Sequence, residues 1–129
     1  MGKLKQQNIN IFCSISTNRL AETNAVLIPS IANQTYNGNI FLTLINYNTD
    51  KRFTKADIGV QDKRIKLQIL NPDKPLGFGE SHNYAFKKIK PDDYFLVINP
   101  DVSLHKDAIK QLLSEYNKDV GIIEARQLP

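Results

Sequence analysis

The chain has 129 residues, of which 41% are hydrophobic and 23% charged, and its net charge is +4. This composition predicts one soluble domain with a single core and argues against disorder. No apolar run reaches the roughly 18 residues of a membrane span, and residues 1–7 lead into no secretory segment. The single cysteine, Cys13, excludes an internal disulfide framework and is predicted to be an inert buried thiol. We therefore expect a cytoplasmic protein.

Strand patterns alternate with helical patterns along the chain. Apolar and β-branched runs predict strands at 8–16, 39–45, 65–70 and 94–98, and the start of a fifth at 120–123. Helical spacing covers 20–32, 80–88 and 104–116, and residues 46–64 are predicted as a polar loop with one short helix. Pro29 predicts a kink or an early helix end near Ile28. The alternation indicates an α/β fold with a mainly parallel sheet.

Polar residues follow three of the predicted strands at the point where each strand ends. They are Thr17-Asn18, Asn46-Tyr47-Asn48 and Asn99-Pro100-Asp101. In an open parallel sheet the carboxyl ends of the strands meet at the ligand-binding crevice. The sequence therefore predicts that these three segments face one site.

A glycine turn at 76–79 precedes the helix predicted at 80–88. Gly77 and Gly79 allow a positive φ and a close approach of a ligand to the backbone, or form a plain tight turn. Asn83 lies one turn into that helix, where it either reaches the crevice or stays on the helix surface. His82 beside it is expected to be a surface or hydrogen-bonded histidine.

Four segments, in this order, resemble the nucleotide-binding half of family 2 glycosyltransferases, and more narrowly the rhamnosyltransferase-like members that build bacterial surface polysaccharides. The segments are Thr17-Asn18, Gln34-Thr35-Tyr36, Leu76-Gly77-Phe78-Gly79 followed by Asn83, and Leu96-Val97-Ile98-Asn99-Pro100-Asp101. The last resembles the apolar strand ending in Asn-Pro-Asp, which is this subgroup's form of the metal-binding Asp-X-Asp motif. The likeness covers nearly the whole chain.

The resemblance implies a Rossmann-like GT-A three-layer α/β sandwich. Residues 1–129 would form a single nucleotide-sugar-binding domain, the N-terminal part of a longer glycosyltransferase. That enzyme would transfer a sugar, with inversion, from a UDP- or dTDP-linked donor to a saccharide or lipid-linked acceptor, using a general base beyond residue 129. Asp101 would bind Mg²⁺ or Mn²⁺. Donor contacts are implied for Thr17, Asn18, Asn46, Asn48, Gly77, Phe78, Asn83 and Asn99.

Two departures from the family pattern stand out. The family usually has Asp-Asn-X-Ser after the second strand, with the aspartate reading the nucleobase, whereas this chain has Asn46-Tyr47-Asn48-Thr49. An asparagine both donates and accepts hydrogen bonds, so the identity of the base stays open. Pro75 stands where an asparagine usually precedes the glycine turn.

Two other functions are weighed against glycosyl transfer. A non-catalytic nucleotide-binding or assembly module would need no acceptor half. A nucleotidyltransferase would need a glycine-rich, basic loop after the first strand, which Thr17-Asn18-Arg19-Leu20 does not provide.

Basic residues form three groups that are either solvated faces or attract a polyanion, an anionic membrane surface or a phosphorylated substrate. They are Lys51, Arg52 and Lys55; Lys63, Arg64 and Lys66; and Lys87, Lys88 and Lys90. No aromatic residues are interleaved to stack bases, so we predict no nucleic acid partner. Peripheral contact with the inner face of the cell membrane and homo-oligomer formation stay open. Asp92-Asp93 precedes a strand and is interpreted as a turn.

Overall fold

A four-stranded, all-parallel sheet in the order β3-β2-β1-β4 forms the centre of the computed structural model, which describes residues 8–48, 50–91 and 94–126. The strands are β1 (Ile9–Ile15), β2 (Ile40–Asn46), β3 (Ile65–Leu70) and β4 (Tyr94–Ile98). The α/β fold and the four main strands of the prediction are thereby confirmed. In the register, Ile11 of β1 lies between Leu42 of β2 and Leu96 of β4.

The fifth strand predicted at 120–123 is wrong. Residues 120–126 have no regular structure, and the Val120 N–H closes a turn on the carbonyl of Asn117. Ile122 is 91% exposed, so this apolar stretch has no sheet or core against which to pack. Local apolar pattern alone does not make a strand when no neighbouring edge pairs with it.

The helical segment at 17–32 is continuous but changes geometry along its length. It comprises a 3₁₀ turn (Thr17–Arg19), α1 (Leu20–Glu22), a π-helical turn (Thr23–Leu27) and α2 (Ile28–Ala32). The predicted early end near Ile28 is therefore wrong. Pro29 lies in the first turn of α2, directly after the π turn. The wider π turn accommodates a proline ring that would clash with a carbonyl in a regular helix.

The other two helices are α3 (Phe78–Ile89) and α4 (Ala108–Ser114). Helix α3 begins at Phe78, before the predicted start at Glu80. A helix cap explains the earlier start, since the Gly77 N–H donates to Glu80 Oε1 at 3.3 Å. The short helix predicted within 46–64 is confirmed as a 3₁₀ turn, Lys55–Asp57.

The helices cover both faces of the sheet and give three layers. On one face, Leu27 and Ile31 of the 17–32 segment and Ile109 of α4 pack in the main core with the strands. On the other face, Ala85 of α3 packs against Phe12 of β1 and Ile45 of β2. This is the Rossmann-like arrangement, and it leaves the carboxyl ends of the strands at one edge.

Arg64 joins the end of α2 to the start of β3. Its guanidinium donates to the carbonyls of Ala32 (2.7 Å), Gln34 (2.8 Å) and Tyr36, and pairs with Asp62 at 2.8 Å. The prediction grouped Arg64 with residues of a solvated or polyanion-binding face. The structure instead uses this side chain internally, because it satisfies carbonyl groups at and beyond the helix end.

Candidate functional site

The loops after β1, β2 and β4 meet at the carboxyl edge of the sheet, as the sequence predicts. Ile15 pairs with Asn46, and the Tyr47 N–H donates to the Ile15 carbonyl at 3.0 Å. The carboxyl ends of β1 and β2 therefore lie side by side. β4 ends beside β1, with Ile98 in register with Cys13. The segments that follow these strands therefore share one crevice.

The glycine turn is held at this same edge by a backbone hydrogen bond. The Leu76 N–H donates to the carbonyl of Tyr47 at 3.3 Å. Among the described residues no glycine has a positive φ, and Gly77 is the extended N-cap residue of α3. A Cβ on Gly79 would meet nothing within 4 Å, so protein contacts alone do not require glycine there.

A small cavity lies between the end of β1 and the glycine turn. Its volume is ≈190 Å³, and it is lined by Ser14, Tyr47, Leu76 and Phe78. A larger cavity of ≈410 Å³ lies beside the amino-terminal half of β3, away from the strand ends; it is lined by Lys55, Ile58, Val60, Ile65, Lys66 and Leu67. We take the smaller cavity as part of the candidate site because Tyr47 lies in the loop after β2 and Leu76 in the glycine turn that is bonded to it.

Asp101 is exposed and lies directly after the segment Asn99-Pro100 that follows β4. Burial raises the pKa of the Cys13 thiol to about 12, and the Asp101 charge adds to this shift. Cys13 is fully buried, so the prediction of an inert thiol is confirmed. Since Ile98 is in register with Cys13, Asp101 follows β4 close to the end of β1.

Arg19 is a candidate site residue that the sequence reasoning missed. Its Nη1 pairs with Glu22 Oε2 at 2.6 Å, and the hydrogen bond and charge of Glu22 raise its pKa, with smaller contributions from Asp101 and Tyr47. The Arg19 guanidinium is half-exposed, and it interacts with the charge of Asp101. Its position directly after Thr17-Asn18 was the available signal.

Asn46 holds the loop after β2 through its side-chain amide. Its side chain is buried; Nδ2 donates to the Lys51 carbonyl (2.8 Å) and to Asn71 Oδ1 (3.0 Å), and Oδ1 accepts the Asn48 N–H (3.0 Å). Asn48 in turn accepts the Asp50 N–H at 3.1 Å and is half-buried. Asn71, also missed by the sequence reasoning, therefore helps to shape this loop.

The other predicted donor contacts differ in their exposure to solvent. Thr17 is half-buried, whereas Asn18, Asn83, Asn99 and Phe78 are exposed. Thr49 and Asp92-Asp93 lie outside the described residues.

Asp101 and Asn99 offer a carboxylate and an amide oxygen in the segment directly after β4. Within the described ranges no group of three or more His, Cys, Asp or Glu residues could hold a metal by itself. Mg²⁺ and related hard cations are commonly bound by one or two carboxylates, with phosphate oxygens and water completing the shell. One exposed carboxylate at the crevice matches that kind of ligand set.

No protein-family model matches this chain, and no curated protein matches it. In the part of the chain that the structure describes, no helix combines the length and the apolar character needed to cross a membrane.

Proposed function

We propose that this chain is the donor-binding part of an inverting, metal-dependent glycosyltransferase. Its donor would be a nucleoside-diphosphate sugar, UDP- or dTDP-linked, and its acceptor a polysaccharide or glycolipid. The observation that carries this proposal is the convergence of the segments after β1, β2 and β4 at one edge of the sheet, with Asp101 exposed directly after β4.

The base of the nucleotide would occupy the cavity beside β1. Tyr47 and Phe78 give it aromatic walls, and base–aromatic stacking tolerates any base because every base has a π face. A cavity of ≈190 Å³ is smaller than the roughly 300–1,000 Å³ that encloses a whole ligand. Only one ring system would enter it, and the sugar and phosphates would extend into the open crevice.

The diphosphate would lie between Arg19 and the loop that carries Asn99 and Asp101. Arg19 presents a planar set of donors suited to phosphate oxygens, and its pairing with Glu22 restricts where the guanidinium sits. Asp101 and the Asn99 amide oxygen would hold Mg²⁺ or Mn²⁺ against the phosphates. When bound, such a cation neutralises charge on the diphosphate.

In the transfer itself, an acceptor hydroxyl would attack the anomeric carbon from the face opposite the diphosphate. The bond from that carbon to the phosphate oxygen breaks, and its electron pair leaves with the nucleoside diphosphate. This chain's contribution is to bind and orient the donor so that the leaving oxygen lies beside positive charge. The proton of the acceptor hydroxyl would pass to a general base, and none of the described residues is assigned that role.

Calorimetric titration of UDP and dTDP, with and without Mn²⁺, tests the donor site. We expect Mn²⁺-dependent binding to the wild type and its loss in Asp101→Asn, which keeps the shape and removes the charge. Asp119→Asn, an exposed carboxylate in the turn after α4, is the matched control and should bind like the wild type. Binding that ignores both Mn²⁺ and Asp101→Asn would contradict the metal role.

A longer chain that includes the acceptor half separates transfer from binding alone. Release of UDP from a UDP-sugar in the presence of acceptor supports the glycosyltransferase. Tight nucleotide binding without turnover would support the non-catalytic binding module instead.

A further inference from the structure

Two buried polar side chains near the cavity have no hydrogen-bond partner. In the part of the chain that the structure describes, four buried side-chain atoms lack one, and three of them are Ser14 Oγ and the two ring nitrogens of His82. Buried polar atoms in folded proteins are nearly always paired, so two such residues near one cavity call for a physical reason.

Ser14 lines the cavity directly. Its exposure is only 9%, yet its hydroxyl group meets no protein acceptor or donor. Ile98 is in register with Cys13, and continuing that register by one residue places Asn99 beside Ser14. The unpaired hydroxyl group is therefore at the same end of β1 as the proposed donor contacts.

His82 is separated from the cavity by one aromatic ring. It lies one turn after Phe78 on α3, and the two ring centroids are 4.6 Å apart in an edge-on arrangement. Phe78 itself lines the cavity, and its side chain is 60% exposed. Phe78 therefore contacts both the cavity and the His82 ring, and it is the side chain that stands between them.

We propose that Ser14 and His82 bind the polar edge of a pyrimidine base, with Phe78 as the movable wall that uncovers His82. This inference rests on the proposed function and adds the residues that would select the base. The cavity of ≈190 Å³ has room for a single base, and the choice of a pyrimidine follows from the UDP- or dTDP-linked donor of the proposed function.

The donor and acceptor properties of the two side chains suit that edge. A serine hydroxyl both donates and accepts, and a neutral imidazole has one donor and one acceptor. The edge of a pyrimidine likewise carries both kinds of group. Burial lowers the pKa of His82, which keeps the ring neutral near pH 7.

Two substitutions, Ser14→Ala and His82→Phe, test the proposal, because each should stabilise the free protein and weaken its binding of UDP. Each removes a buried polar group that is unpaired in the free protein, so each should raise the melting temperature without nucleotide. Each should also weaken UDP binding about tenfold, in the range of one lost hydrogen bond. Ser103→Ala is a matched control at an exposed position and should change neither quantity. His105→Phe controls for UDP binding alone, because it also removes the acceptor of the Asp107 N–H at 3.3 Å.

The wild-type protein gives a second test that does not depend on the folding of a variant. His82 and His105 are the two histidines of the chain, so ¹⁵N-detected NMR can follow both rings during a UDP titration. We expect the ring nitrogens of His82 to shift and those of His105 to stay unchanged.

The outcomes separate this inference from the function on which it rests. UDP binding without a shift at His82, or a lower melting temperature for Ser14→Ala, overturns the inference and leaves the proposed function standing. ADP binding as tight as UDP binding overturns the choice of a pyrimidine. A wild-type protein that binds neither UDP nor dTDP overturns both.

Discussion

Gln34 and Ile109, 75 positions apart, are joined by a 3.1 Å hydrogen bond from the Ile109 backbone N–H to Gln34 Oε1. The amide nitrogen of Gln34 donates to the carbonyls of Ser30 (3.1 Å) and His105 (2.7 Å). One buried side chain therefore ties the end of α2 to the start of α4. Because the 105–109 segment follows Asp101 closely, Gln34 helps to fix the loop that carries the proposed metal ligand.

Gln34→Leu should destabilise the protein by about 2–4 kcal/mol, since it leaves the buried Ile109 N–H without its acceptor and removes a donor from the Ser30 and His105 carbonyls. Urea unfolding measures the change in the free energy of unfolding. Gln111→Leu, on the exposed side of α4, is the control and should stay within about 0.5 kcal/mol of the wild type. Equal costs for the two variants would show that Gln34 is not the tie described above.

Arg64→Lys should lower the free energy of unfolding by about 1–3 kcal/mol, because an ammonium group cannot reproduce the several directed hydrogen bonds of the guanidinium. Thermal or urea unfolding checks this. Arg52→Lys is the matched control: Arg52 approaches Asp73 at 3.9 Å with both side chains well exposed, and such pairs contribute little. If both substitutions prove neutral, the carbonyl contacts of Arg64 do not stabilise the fold.

The pH dependence of stability should carry a contribution from His82. Burial lowers its pKa in the folded protein below the ordinary value of 6.5, so protonation favours the unfolded chain. Stability from this group is complete above about pH 6.5 and is lost as the pH falls toward the folded-state pKa. Urea midpoints between pH 7.5 and 5 should therefore fall for the wild type and for His105→Phe, and fall less steeply for His82→Phe. If the urea midpoints of all three proteins fall equally with pH, the pKa of His82 is not lowered by burial and the prediction is wrong.

The outer edge of β4 should make the protein self-associate. Among the described strands β4 is paired on one side only, and its Phe95 and Val97 are 49% and 42% exposed. Phe95 also contacts Phe86, another exposed aromatic residue, at 5.3 Å between ring centroids. Unpaired apolar edges are templates for further strand pairing, and a charge on the edge blocks it.

Sedimentation velocity over a range of concentrations tests that expectation. The wild type should show concentration-dependent dimers or larger species, and Val97→Lys should shift it toward monomer. Ile122→Lys adds the same charge at a more exposed residue outside the sheet and should leave association unchanged. A wild type that is monomeric at the highest concentration would contradict the prediction.

The sequence predicted those features that depend on local pattern. The bounds of β3 and β4 agree with the predicted 65–70 and 94–98, because an apolar run between polar or proline residues defines both strands. The carboxyl-end segments also converge as expected, since parallel strands place them at one edge. The structural roles of Arg64 and Gln34 were not predicted, because each bonds to distant segments of the chain, with partners 28 to 75 positions away in sequence. The local role of Asn46 was also not predicted, because the sequence does not show that its amide bonds to the Lys51 carbonyl and to Asn71.

Arg19 should contribute to binding of the diphosphate and not of the nucleoside. Its guanidinium is exposed beside the crevice and already oriented by Glu22, so phosphate oxygens can reach its remaining donors. Arg19→Gln should weaken UDP binding roughly tenfold or more, the effect of one charged hydrogen bond, while uridine binds both proteins equally. Arg52→Gln is the control, because Arg52 is also an exposed arginine but its ion-pair partner is Asp73, in the loop after β3. The wild-type affinity for UDP should also fall as salt rises, since screening weakens exposed charge interactions. Equal losses for UDP and uridine would mean that Arg19 shapes the loop after β1 and does not bind phosphate.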